Sequence, residues 1–154
     1  PEVLAGQGTV GMELEADAPE ATHILVATGG GGLIGGIAAW YAGRGARVVS
    51  VEPEGCPTLA TAPREGRPVP CPVGGLAADS LGARQVGALM FEVARHHVAE
   101  AVLVPDADIR DAQRRLWAAL RLVAEPGGAT ALAALTSGAW TPPAGARMAV
   151  VVCG

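Results

Sequence analysis

Short apolar runs alternate with segments suited to helices along this chain. Four runs rich in Val, Leu, Ile and Ala predict buried strands, at residues 23–27, 47–51, 101–104 and 148–153. The intervening segments predict helices, at residues 2–15, 33–42, 80–95, 106–123 and 126–137, with a short one near Leu59. Strands that alternate with helices predict an α/β domain over residues 1–154, built on a mainly parallel sheet.

The helix over residues 106–123 has the clearest amphipathic pattern. Its large apolar side chains fall near one face, which we expect to pack on the sheet: Ile109, Leu116, Leu120 and Val123.

Four consecutive glycines, Gly29–Gly32, separate the first strand from the following helix. Glycines let the backbone approach an anion closely, and a helix N-terminus offers unpaired amides and the positive end of its dipole. A tight turn with close helix packing needs fewer glycines, so the loop predicts phosphate binding. The pattern of Gly30, Gly32 and Gly35, with Glu52 about twenty residues later, also fits a dinucleotide fingerprint. A Rossmann-type NAD-binding domain therefore stays open as an alternative.

Composition narrows the chemistry further. All eleven basic residues are Arg, so no side chain here carries a primary amine for covalent catalysis. The net charge of −4 and the lack of a basic cluster indicate no nucleic-acid or membrane partner. Three cysteines without a C-x-x-C pair indicate free thiols in a reducing cytoplasm. His23, His96 and His97 lack partners at ligand spacing, and we expect them at the surface.

Several segments have a common order and spacing that is specific as a set. In chain order they are Gly6–Thr9, Val26–Leu33, Val51–Gly55, Gly66–Pro70, Ala78–Gly82, Glu125–Ala129 and Val151–Gly154. Together they resemble the threonine/serine dehydratase group of fold-type-II pyridoxal-phosphate enzymes, which includes serine racemase. The resemblance implies a three-layer fold like that of the tryptophan synthase β chain, and pyridoxal 5'-phosphate as the cofactor.

The resemblance also implies how the cofactor is held. Backbone amides of the tetraglycine loop, which are those of Gly29, Gly30, Gly31, Gly32 and Leu33, are expected to bind its phosphate. The family has a Ser or Cys beside the pyridine nitrogen, and that position falls on Cys153. A thiol there donates weakly and cannot protonate the ring as an Asp would.

Two of these assignments have ordinary structural alternatives. Glu125 falls on a Glu that lies near the ring in some members of the family, but an acid at a helix N-terminus is equally well explained by the dipole. Without the resemblance, Cys153 would be interpreted as an apolar cysteine that ends a buried strand, whereas the resemblance favours the cofactor role.

A divalent or monovalent cation is a further implication of the resemblance. Glu52 resembles the first ligand of that site, and the backbone carbonyl of Cys56 falls on the second. Thr58 stands where the family has an Asp. Losing a carboxylate lowers the affinity for a hard cation, so the substitution weakens this prediction.

The family's Schiff-base lysine has no counterpart in this chain. We therefore expect residues 1–154 to be most of the large cofactor-binding domain, with the N-terminal catalytic segment and the small domain missing. The chain alone would be inactive. The intact enzyme, which we expect to be a homodimer, would remove water and then ammonia from a β-hydroxy amino acid such as threonine or serine, giving a 2-oxo acid. Serine racemisation stays open within the same family.

Overall fold

The computed structural model describes the backbone of residues 1–154 and every side chain except that of Pro63. Its elements, in chain order, are α1 (Glu2–Asp17), β1 (His23–Ala27), α2 (Gly32–Tyr41), β2 (Arg47–Pro53), α3 (Thr58–Glu65), α4 (Ala78–Leu81), α5 (Ala88–His97), β3 (Val98–Val104), α6 (Asp106–Leu120), α7 (Pro126–Thr136) and β4 (Met148–Val150). Each described helix is too short or too polar to cross a membrane.

The four strands form one parallel sheet in the order β3-β2-β1-β4. Ile24 of β1 lies opposite Val48 of β2 on one side and Ala149 of β4 on the other. Parallel neighbours need a crossover between them, and α2 provides the one from β1 to β2. The predicted α/β fold with a parallel sheet is confirmed.

Helices cover both faces of this sheet. Leu25 and Ala27 of β1 pack into a core with α6 and α7, while Ile24 and Val26 pack on the other face with α2. Because both faces are buried, alternate side chains need not alternate in polarity. This explains why β1 has a continuous apolar run, and it gives the predicted three layers.

The helix predicted over residues 80–95 is two helices. Helix α4 ends at Leu81, and α5 begins only at Ala88. The intervening Gly82 packs against the Ala78 carbonyl so closely that a side chain would collide with it. Val86 is fully buried in a small apolar cluster with Leu59 and Phe91. The packing of Val86 against Leu59 of α3 therefore interrupts the predicted helix.

Helix α6 ends three residues before the predicted boundary. Arg121 adopts a left-handed conformation (φ 59°), which ends the helix, and Gln113 Nε2 donates to the Ala124 carbonyl at 2.8 Å. Ile109 and Leu116 are buried as predicted, but Leu120 is 62% and Val123 86% exposed. The expected apolar face is correct only as far as Leu116.

His23 also differs from its prediction, because it is buried within β1 and only 9% exposed. Its ring lies 5.5 Å from that of Trp140, and its Nδ1 lies 2.9 Å from the Thr22 hydroxyl. His96 and His97 are exposed at the end of α5, as predicted. The apolar run predicted a buried strand, but it did not indicate that the burial includes His23, the first residue of β1.

Candidate cofactor site

The glycine loop lies at the carboxyl end of β1, the strand from which the sheet is extended in opposite directions. The chain leaves β1 through α2 to β2 on one side, whereas β4 lies on the other side of β1. Ligands of open parallel sheets bind at such a switch point, outside the carboxyl ends of the strands. The end of β4 and the loop after β1 therefore meet at one crevice.

The backbone of the loop is arranged to present amides. The first hydrogen bond of α2 runs from the Gly35 amide to the Gly31 carbonyl at 2.8 Å. The amides of Gly32, Leu33 and Ile34 precede that bond and have no intrahelical acceptor. Gly31 itself has φ 87°, a left-handed conformation that favours glycine. The arrangement suits an anion such as a phosphate monoester.

A cavity of about 220 Å³ opens in front of this loop. All seven residues that we predicted to bind the cofactor line it, namely Gly29, Gly30, Gly31, Gly32, Leu33, Glu125 and Cys153. These residues are up to 124 positions apart along the chain, and the fold brings them to one cavity.

Cys153 offers a neutral thiol at this cavity. Burial raises the pKa of the Cys153 thiol above its ordinary value; a backbone hydrogen bond partly opposes the rise, and the nearby Glu125 carboxylate adds a smaller increase. The two residues meet because the Glu125 amide donates to the Gly154 carbonyl at 3.1 Å. A protonated thiol can donate a hydrogen bond to a ring nitrogen, whereas a thiolate cannot.

Glu52 lies below the loop and outside the cavity. Its carboxylate is fully buried and accepts hydrogen bonds from the amides of Leu59 (Oε1, 2.7 Å) and Ala60 (Oε2, 2.7 Å). Burial raises its pKa above the ordinary value, and these hydrogen bonds oppose the rise. A fully buried acid that caps α3 cannot reach a ribose hydroxyl. Glu52 therefore cannot be the ribose-binding acid that the dinucleotide alternative requires.

The predicted cation ligands do not fit a hard cation in this geometry. Both Glu52 oxygens are used by amides, and the Cys56 carbonyl accepts from the Thr58 amide at 3.0 Å. Thr58 adds a neutral hydroxyl where a carboxylate would be needed. Across the described side chains, no group of three or more His, Cys, Asp or Glu is placed to hold a metal ion.

Six lining residues were not among the predicted ligands: Ala27, Thr28, Ile34, Ser80, Leu81 and Gly127. Ser80 and Gly127 belong to segments that carried the family resemblance, so their position at the cavity could have been predicted. Thr58 is different, because its hydroxyl lies 2.6 Å from the Gly29 carbonyl and nothing in the local sequence indicates that contact.

The parallel α/β fold and the glycine loop at its switch point are consistent with a pyridoxal-phosphate enzyme domain, and comparison with known proteins shows that family. The chain belongs to the family described as pyridoxal-phosphate dependent enzyme, which matches residues 1–154. The match of the whole chain to this family also excludes the Rossmann-type NAD-binding alternative.

Individual relatives are similar over the whole chain. It is 33% identical to an L-threonine ammonia-lyase of Thermotoga maritima, over 100% of this chain and 38% of that protein. It is 36% identical to a phenylserine dehydratase of Ralstonia pickettii, over 98% of this chain and 47% of that protein. The structure of maize serine racemase superposes with a TM-score of 0.92 at 33% identity, over 99% of this chain and 48% of that one. The chain thus spans less than half the length of these relatives.

Proposed function

We propose that the complete protein is a pyridoxal-phosphate-dependent ammonia-lyase that acts on a β-hydroxy amino acid such as threonine or serine. It would remove water and then ammonia, and release a 2-oxo acid. The observation that carries the proposal is the convergence of the glycine loop, Cys153 and Glu125 on one cavity at the carboxyl end of β1. The similarity to an L-threonine ammonia-lyase and a phenylserine dehydratase supports the reaction class.

The residues present fit the cofactor. The amides of Gly29–Gly32 and Leu33, at the N-terminus of α2, would hold its phosphate. The Cys153 thiol would donate to the ring nitrogen and leave it largely unprotonated, with the Glu125 carboxylate near the ring. When bound, pyridoxal phosphate supplies an electron sink for the bonds at the amino acid's α-carbon. Weak donation from a thiol keeps that sink moderate, which suits loss of a β-hydroxyl group.

The covalent half of the site has to come from other residues, because this chain has no lysine. We infer that residues 1–154 form most of the large cofactor-binding domain. The Schiff-base lysine, the substrate loop and the small domain would belong to further parts of the protein, and the complete protein would be a homodimer. Its three free cysteines support a location in the reducing cytoplasm. The 154-residue chain by itself would have no turnover.

A bound cation is not part of this proposal, although the family resemblance implies one. Glu52 and the Cys56 carbonyl would be its ligands, but their hydrogen bonds to backbone amides oppose it. Calorimetric titration of the complete protein with Mg²⁺, Ca²⁺ and K⁺ tests it directly. Stoichiometric binding of a cation that is lost in Glu52→Gln would show that the complete protein holds a cation at this position.

Product analysis tests the reaction. The complete protein, loaded with pyridoxal phosphate, is incubated with L-threonine, L-serine and L-phenylserine. Formation of the 2-oxo acid is followed with a dehydrogenase-coupled assay, and D-serine by chiral chromatography. Release of 2-oxo acid together with ammonia is the expected result. Conversion of L-serine to D-serine without 2-oxo acid would instead identify a racemase, the activity that the similarity to maize serine racemase favours.

A further inference from the structure

A hydroxyl group links the glycine loop to the neighbouring strand. Thr58, the first residue of α3, is fully buried, and its Oγ1 lies 2.6 Å from the Gly29 carbonyl oxygen and 2.9 Å from Glu52 Oε1. Glu52 belongs to β2, and its two oxygens also accept from the first amides of α3. The loop after β1 is therefore connected through one side chain to a buried cap on β2.

This contact determines the direction of a loop amide. A peptide unit is planar and trans, so the N–H of Gly30 points opposite to the C=O of Gly29. Because the Gly29 carbonyl faces Thr58, the Gly30 amide faces away from α3. The next peptide unit is fixed in the same way, since the Gly30 carbonyl accepts from the Gly87 amide at 3.2 Å. The amides of Gly30 and Gly31, two consecutive residues that line the cavity, therefore have fixed directions.

No metal ion is needed for this arrangement. The Glu52 oxygens accept from the Leu59 and Ala60 amides, and the single proton of the Thr58 hydroxyl has the Gly29 carbonyl oxygen at 2.6 Å as its nearer acceptor, with Glu52 Oε1 at 2.9 Å. A hard cation in this position would compete with those amide donors for the same oxygens and would find only a neutral hydroxyl at Thr58. The linkage is complete with the groups that this chain supplies.

We propose that Thr58 is a positioning residue whose hydroxyl holds the Gly29 carbonyl and aims the Gly30 amide at the cofactor phosphate, without a metal ion. The proposal rests on the proposed function, because it requires the glycine loop to bind that phosphate. Thr58 does not line the cavity, so it acts through Gly29 and does not touch the cofactor. Its effect is confined to the phosphate end of the ligand.

The test compares pyridoxal phosphate with pyridoxal, which lacks the phosphate, on the complete protein. Affinities are measured by absorbance titration, with and without EDTA, for the unmodified protein, Thr58→Val and Thr58→Ser. Thr58→Val keeps the side-chain shape and removes the hydroxyl, so affinity for pyridoxal phosphate should fall about tenfold, the effect of losing one hydrogen bond. Affinity for pyridoxal should not change. Thr58→Ser should bind both ligands like the unmodified protein, and EDTA should change nothing.

Three results would overturn the proposal. One is Thr58→Val binding pyridoxal phosphate as tightly as the unmodified protein, and another is an equal loss for both ligands, which would indicate a purely structural role. The third is weaker binding by the unmodified protein in EDTA. If Thr58→Val does not fold, Thr58→Ser decides, since a serine that fails to retain the affinity contradicts the role of the hydroxyl. An unmodified protein that binds no pyridoxal phosphate would instead refute the proposed function.

Discussion

Gly31→Ala is the substitution whose effect on the glycine loop can be worked out most directly. Gly31 has φ 87°, and a non-glycine residue in a left-handed conformation costs roughly 1–2 kcal/mol. Its new methyl group would also lie 3.0 Å from Met90 Cβ and 3.0 Å from Val86 Cγ2. Val86 is fully buried, so it cannot move aside freely, and overpacking of that kind costs about 1–3 kcal/mol. We expect a total destabilisation of roughly 2–5 kcal/mol.

Gly43→Ala is the matched control, because it separates strain from collision. Gly43 has φ 75°, and a methyl group there would meet nothing within 4 Å. It should therefore cost only the conformational part, roughly 1–2 kcal/mol. Gly43 is also remote from the cavity, so Gly43→Ala should bind pyridoxal phosphate normally, whereas Gly31→Ala should bind it more weakly.

Urea unfolding followed by far-UV circular dichroism measures the two stabilities, and absorbance titration measures the two affinities. A change in midpoint at constant slope reports stability. The reasoning would be refuted by equal destabilisation of the two variants, since α5 and Val86 would then give way at no cost. Normal cofactor affinity in a folded Gly31→Ala variant would refute the role of the loop.

Two further predictions concern the thiol and the helix packing. Because the pKa of the Cys153 thiol is raised, its alkylation by iodoacetamide should be slow near neutral pH and accelerate above the ordinary titration range of a thiol, and rapid alkylation at neutral pH would contradict the raised pKa. Bound pyridoxal phosphate should protect Cys153, and lack of protection would contradict its place at the ring. In Gly36→Ala the methyl group would lie 2.5 Å from Gln7 Cβ and 2.6 Å from the Gln7 carbonyl carbon, so α1 and α2 must separate at a cost of about 1–3 kcal/mol. In the control Gly6→Ala, in α1, the methyl group would meet nothing within 4 Å, so this variant should be more stable by about 0.5–1 kcal/mol. A Gly36→Ala variant as stable as Gly6→Ala would contradict the close packing of α1 on α2.

The elements nearest the cofactor site could be predicted from local sequence. The strand at His23–Ala27 has the predicted bounds, and α2 begins one residue before its predicted start. Both are specified over a few residues, by an apolar run and by glycines that end it. The seven predicted cofactor residues came from a family resemblance, and the structure brings them to one cavity. That they bind the cofactor stays a prediction.

Other features depended on contacts that no local pattern encodes. Leu120 and Val123 continue the apolar spacing of α6, yet the helix ends because Arg121 turns left-handed and the chain folds back toward α7. The segment after Leu81 suits a helix, but Val86 is buried elsewhere. In each case the free energy of tertiary burial outweighs a modest local helix preference.

The sequence by itself determined the parallel α/β architecture and the lack of an amine for covalent chemistry, and it predicted phosphate binding at Gly29–Gly32, because each follows from residue types along the chain. Only the tertiary structure decided what Glu52 and Thr58 do. Thr58 is 29 residues from Gly29, and their hydrogen bond exists because parallel pairing brings the carboxyl ends of β1 and β2 together. A residue's type defines the bonds that it can make, but its partner is determined by which strands become neighbours in the sheet.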